Sequence, residues 1–242
     1  MLKNTPTIFI IIFFILAPSG VCAGEPASIG IVEERYPDGT HKVWGRVEEL
    51  PGGIRKRIDI WTFWFPNGNI KAQGQFRSGE MPGEMGETGI PIDGRDGLWS
   101  FWHQNGHKRQ EAFYSRGKLN GAFKSWFENG EQEATGNYVD DRKHGKWSIW
   151  WDNEHKRFSC FFVEGRENGK VQFWHENGQA SVRGTFRDGL KEGKFTYWYP
   201  DGTKMATGNF VRGKREGRWL EWGRDGKLKR ALSYNAGRQI GR

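Results

Sequence analysis

Cysteine is almost missing from this chain of 242 residues, which contains two. Leucine is scarce beyond the first segment, and that segment holds the one long apolar run. Each shortage excludes something. Helical domains draw heavily on leucine, so a helical fold is disfavoured. If a leader is removed with Cys22, Cys160 is left alone and no intrachain disulfide can form. Packing must then hold the chain together. No later stretch is apolar for long enough to cross a bilayer as a helix.

Residues 1–23 read as a secretory signal peptide. Lys3 gives a positive start, residues 8–16 are unbroken apolar, and Val21-Cys22-Ala23 resembles a small-residue cleavage site. Lipidation of Cys22 is the competing reading, but Val21 stands where lipoprotein signals normally have a small residue. The expected location is the periplasm or the medium. The formal charge is +8, which in an exported protein points to anionic envelope components or an acidic protein partner ahead of nucleic acid.

What the chain does have is aromatics and glycine: 13 Trp, 17 Phe, 6 Tyr and 35 Gly suit short strands joined by tight turns. They recur with a period of 24 residues. Opening glycines fall at Gly97, Gly121, Gly145, Gly169, Gly193 and Gly217, and Gly241 begins another copy. Five positions on stand Trp102, Trp126, Trp150, Trp174, Trp198 and Trp222. Seventeen positions on stand Tyr114, Tyr138, Phe162, Phe186, Phe210 and Tyr234. Trp64 with Asn67-Gly68 and Phe76 marks an earlier copy, and residues 36–39 a degenerate one. The array thus spans 59–242, with an inserted acidic, glycine-rich loop at 84–96. Before it, 24–58 reads as a degenerate first hairpin followed by an irregular connection over 46–57.

Pro200-Asp201-Gly202 and its counterparts predict three-residue hairpin loops with a left-handed glycine. Each copy is then a β-hairpin that buries its aromatics only by stacking on its neighbours, giving an all-β, elongated, twisted antiparallel sheet. With three loop residues and no other irregularity, Trp198, Phe210, Ala206 and Gly208 share one face. Phe195 and Tyr197 fall on the other. Glu154, Asp141 and Val171 break the pattern, and repeat drift accounts for them.

The spelling G-x-W-x-x-W-x-x-N-G, then G-x-Y/F-x-x-G-x-x-x-G, resembles the MORN repeat in its bacterial variant, found in proteins labelled YwqK-type antitoxins. The resemblance implies a sheet of hairpins acting as a scaffold or binding surface.

No constellation here supports catalysis or a cofactor. Six histidines are scattered without metal-ligand spacing, and Cys160 stands where other copies have glycine. A non-enzymatic protein is expected. The candidate binding surface is the stripe of Trp99, Phe123, Trp147, Phe195, Tyr197 and Trp219, since Trp and Tyr dominate interface hot spots. The alternative is that this stripe is core. The expected function is an exported protein-interaction module, its most concrete form an immunity protein or antitoxin against an envelope-acting toxin. A module holding envelope glycan or anionic lipid is the alternative.

Overall fold

The computed structural model describes residues 27–81, 83–86 and 88–240. The leader, its cleavage site and Gly241 lie outside them. The chain divides into two compact units, Met1–Gly121 and Ala122–Arg242. All regular structure among the described residues is β-strand, and no helix there is long and apolar enough to cross a membrane.

In the first unit β1 (Ser28–Arg35), β2 (His41–Leu50), β3 (Ile54–Trp64), β4 (Ile70–Glu80), β5 (Arg95–Trp102) and β6 (Lys108–Ser115) follow in order. Each pairs antiparallel with the next. The unit boundary falls inside β7 (Lys118–Trp126). The second unit continues with β8 (Gln132–Val139), β9 (Arg142–Trp150), β10 (Lys156–Val163), β11 (Arg166–Trp174) and β12 (Ala180–Arg187). It ends with β13 (Leu190–Trp198), β14 (Lys204–Val211), β15 (Lys214–Trp222), β16 (Leu228–Asn235) and β17 (Arg238–Ile240). Here too sequential strands pair antiparallel. The architecture is the expected one, consecutive hairpins laid side by side.

Residues 46–57 are a regular hairpin rather than an irregular connection. Glu48 faces Lys56, Glu49 faces Arg55 and Leu50 faces Ile54 across Pro51-Gly52-Gly53. Opposite charges on facing positions, with an Arg55–Glu49 ion pair at 3.2 Å, supply the cross-strand matching that apolar residues supply elsewhere.

The three-residue loop forms as expected. Tyr199 N–H donates to Thr203 O at 2.8 Å, Gly202 N–H donates to Tyr199 O at 2.9 Å, and Gly202 has φ 83°. The face assignment built on it is overturned. Tyr197 pairs with Ala206 but Trp198 pairs with Lys204, so Met205 is an extra residue just inside the loop. A one-residue bulge reverses the side on which every residue beyond it points. Phe210, Ala206 and Gly208 therefore join Phe195 and Tyr197, and Trp198 stands opposite all of them. The same bulge recurs with Lys71, Arg109, Ser181 and Lys229 as the extra residue.

The core is accordingly the ladder two positions after each opening. Trp99, Phe195 and Trp219 are fully buried and Trp147 nearly so, whereas Trp150, Trp198 and their counterparts are only partly buried. Each core ring lies flat on a glycine of the preceding strand: Trp61 on Gly45, Trp99 on Gly74, Trp147 on Gly136, Phe195 on Gly184, Trp219 on Gly208. A Cβ at any of these glycines would overlap the ring. The indole N–H then donates to the next carbonyl along, Gln75 O for Trp99 at 2.9 Å and Asn209 O for Trp219 at 3.1 Å. Phe210 meets Phe195 and Trp219 edge-on, both at 5.1 Å between ring centres, a favoured aromatic geometry.

The copy from Gly169 departs in a matched way. Cys160 takes the glycine position and the ring position above it is Val171, both buried. A larger floor needs a smaller residue on top. Val171 is thus a packing partner of Cys160, where drift alone had been expected.

Candidate functional site

A cation stands two positions before most opening glycines and lies over the core ring of its own copy. The Arg95 guanidinium carbon is 4.9 Å from the Trp99 ring centre and Arg215 is 4.4 Å from Trp219. Lys143 Nζ is 4.4 Å from Trp147, and Lys191 Nζ lies 5.3 Å from Phe195 and 5.0 Å from Phe210. The ring quadrupole attracts the cation and the cation shields the ring from water. Arg95 and Arg215 also donate to the tyrosine hydroxyls of their copies, Tyr114 at 3.2 Å and Tyr234 at 2.9 Å. Burial pushes the pKa of Arg95 and of Lys143 down, opposed for Lys143 by the Glu167 carboxylate. Glu167 is itself the residue two before Gly169. The copy without a core ring thus has a carboxylate in place of the cation, and the copy from Gly121 has Leu119 there.

In the second unit this face holds an open groove of about 680 Å³. Tyr197, Tyr199, Met205, Ala206, Phe210, Trp219 and Trp222 give it apolar walls. Lys191, Arg215, Lys229 and Arg230 set four cations around it against one carboxylate, Glu221. Strands β13 to β16 and the turn after β13, which carries Tyr199, position these, and the bulge residues Met205 and Lys229 line the groove.

The first unit carries the same groove, partly filled. Phe65, Lys71, Phe101, Trp102 and Arg109 line a space of about 380 Å³, and one wall is Ile90 of the insertion. Ile90 is buried in the cluster with Trp61, Phe63, Phe76, Trp99 and Phe101. Arg95 donates to Ile90 O at 3.1 Å and to Pro91 O at 2.8 Å, and Arg57 pairs with Asp93 at 3.6 Å. The expected loop therefore folds onto the aromatic face, with the bridge Met85–Pro91 closing it.

Of the six residues picked from sequence, Trp99, Trp147, Phe195 and Trp219 are buried floor, while Phe123 and Tyr197 are partly buried. Tyr197 and Trp219 line the second-unit groove. To that stripe the structure adds the cations Lys191 and Arg215, the latter from the basic run 212–215 that the sequence offers for an anionic ligand, and the residues Tyr199, Met205 and Lys229. The repeated cation at 95, 143, 191 and 215 was the signal that could have found the first two.

The turn edge links copies to one another. Asn129, Asn153 and Asn177 each accept a backbone N–H within their own loop. Their Nδ2 groups donate to the next loop, at Asp152 O, Glu176 O and Pro200 O. Trp151 lines a shallower cleft at this edge with Arg157, Trp174 and His175. Among the described residues no His, Cys, Asp and Glu group together as metal ligands. Burial pushes the Cys160 thiol pKa up, away from the nucleophilic form.

Fold and groove define a class, the tandem β-hairpin repeat protein with an aromatic, basic face. More particularly, residues 60–78, 95–116 and 191–212 match the MORN repeat variant family. Proteins of that repeat are generally non-enzymatic modules that bind protein or lipid. No curated protein gives a match.

Proposed function

We propose that the chain is an exported, non-enzymatic module that binds a protein partner in the groove of its second unit. One observation carries this: an apolar groove of about 680 Å³ stands open beside four cations and one acid. Apolar floor with a charged rim is the usual anatomy of a protein-binding surface. An immunity protein holding an envelope-acting toxin is its most concrete form, supported by the leader-like residues 1–23 and by the net charge. The same cations suit the headgroup of an anionic lipid or an acidic glycan, the second reading.

Affinity capture with the chain after residue 23 tests the choice when run beside the double variant K229E/R230E. Both residues are exposed, so the variant should fold. A protein retained by the native chain and lost by the variant is the expected result. Retention on anionic vesicles with no protein partner would favour the lipid reading. Substrate turnover lost on groove substitution would overturn the non-enzymatic reading.

A further inference from the structure

The insertion of the first unit shows what the open groove of the second is shaped to take. In copy-by-copy correspondence Arg57 matches Lys191, Arg95 matches Arg215, Lys71 matches Met205 and Arg109 matches Lys229. In the first unit the two buried cations grip the insertion. Arg95 holds the carbonyls of Ile90 and Pro91, and Arg57 faces the Asp93 carboxylate. Between these anchors Ile90 is 1% exposed, its side chain packed within the aromatic cluster. The loop itself is a small hairpin, with Ile92 N–H on Glu84 O and Gly86 N–H on Ile90 O.

In the second unit the same cations stand over the matching rings with no described segment folded onto them as the insertion is. Arg215 makes the tyrosine bond that Arg95 makes, to Tyr234. Its Nε and second terminal nitrogen hydrogen-bond to no described residue, where those of Arg95 hold the two insertion carbonyls. The groove is about 680 Å³ here and about 380 Å³ where the insertion fills it.

We propose that the second-unit groove binds a loop of its protein partner built like the insertion: an aliphatic residue at the tip, two accessible backbone carbonyls beside it, and a carboxylate three residues on. The aliphatic side chain sits against Tyr197 and Phe210, Arg215 donates to the carbonyls, and Lys191 faces the carboxylate. Charge favours the same occupant, since Lys229 and Arg230 line the mouth and the insertion is itself acidic, with Glu84, Glu87 and Asp93. Guanidinium donors to carbonyls fix position, and the buried aliphatic contact supplies most of the affinity. This rests on the groove being the protein-binding surface.

The probe is a backbone-cyclised peptide of residues 83–94, which retains the Glu84–Ile92 pairing. It is titrated into the chain after residue 23 and followed by tryptophan fluorescence and calorimetry. Saturable binding is expected, weakened about tenfold in K229E/R230E, with far-ultraviolet dichroism unchanged. R215Q should weaken it by about as much, and M205E should block the apolar contact. Peptides with Ile90→Ser or Asp93→Asn should bind more weakly than the parent. No binding up to about 1 mM, or binding indifferent to both peptide changes and to K229E/R230E, overturns the inference. A captured partner that is lost by K229E/R230E but not displaced by the peptide also overturns it while leaving the proposed function standing. Peptide binding at the groove with no protein partner in any capture would remove the proposed function instead.

Discussion

The two units carry the same ladder of rings, glycines and cations, and they differ in what lies on it. In the first, the insertion at 84–96 brings Ile90 onto the rings and gives Arg95 and Arg57 backbone and carboxylate partners. In the second, the equivalent Arg215 and Lys191 stand beside an open groove. Trp147, Phe195 and Trp219 of the second unit are nonetheless as buried, because each is covered by its own cation and its neighbours' aromatics. The cover is therefore not required for the ladder to form. A single-layer sheet can stabilise itself this way because a Trp over a glycine removes apolar area on both sides of the ring at once.

Substitutions in the shared ladder should test whether the units are equivalent. Trp99→Ala and Trp147→Ala should each lose about 3 to 5 kcal/mol, since each empties a ring-sized space above a glycine that cannot fill it. Urea unfolding of both variants checks this, and a loss at Trp147 of less than half that at Trp99 would break the equivalence. Ile90→Ala should then separate the units, lowering the stability of the first by about 3 kcal/mol while hydrogen exchange in β13 to β16 stays as in the parent. Faster exchange in those strands would mean that the cover serves both units.

The period, the all-β class and the loop type were legible because they are written in residues at fixed spacing. Asp201-Gly202 specifies its turn whatever surrounds it. Which face carried the core was not legible, because the bulge at Met205 has no residue signature. Its counterparts are the cations Lys71, Arg109, Arg157 and Lys229 and the hydroxyl residue Ser181, types that equally fill ordinary exposed strand positions and so do not announce a bulge. One unmarked residue moved Phe210 from the Trp198 side to the Phe195 side. The 46–57 hairpin was hidden for the opposite reason: its strands pair through Glu48, Glu49, Arg55 and Lys56, outside the aromatic code of the other copies. The groove needed the fold as well, since Lys191, Tyr199, Arg215 and Lys229 converge only once the bulge has set their sides.

The Cys160–Val171 pair offers a finer comparison, one copy against its neighbours. Val171→Trp alone should destabilise by about 1 to 3 kcal/mol, because the ring would meet the Cys160 side chain where its counterparts meet glycine. Cys160→Gly alone should also destabilise, by about 1 to 2 kcal/mol, through a small void and a freer backbone. Together they should recover at least about 1 kcal/mol of the summed loss, which a double-mutant cycle measures directly. Strict additivity would mean that the two positions drifted independently.

The smallest expected effect lies in the loop of the same copy. Glu154 occupies the position that Gly130, Gly178 and Gly202 hold elsewhere, and it adopts φ 67°. The loop keeps its shape, but Glu154 N–H reaches Trp151 O at 3.2 Å, against 2.9 Å for Gly178 to His175 and for Gly202 to Tyr199. A residue with a Cβ is held at positive φ at a cost of about 1 to 2 kcal/mol, and glycine recovers this less the entropy it adds to the unfolded chain. Glu154→Gly should therefore stabilise the protein by about 0.5 to 1 kcal/mol, seen as a higher urea midpoint with an unchanged slope. The neighbouring contacts should persist, since Asn153 reaches Glu176 O through its side chain and not through the strained residue. A lower midpoint would show that the Glu154 side chain makes a contribution larger than its backbone strain.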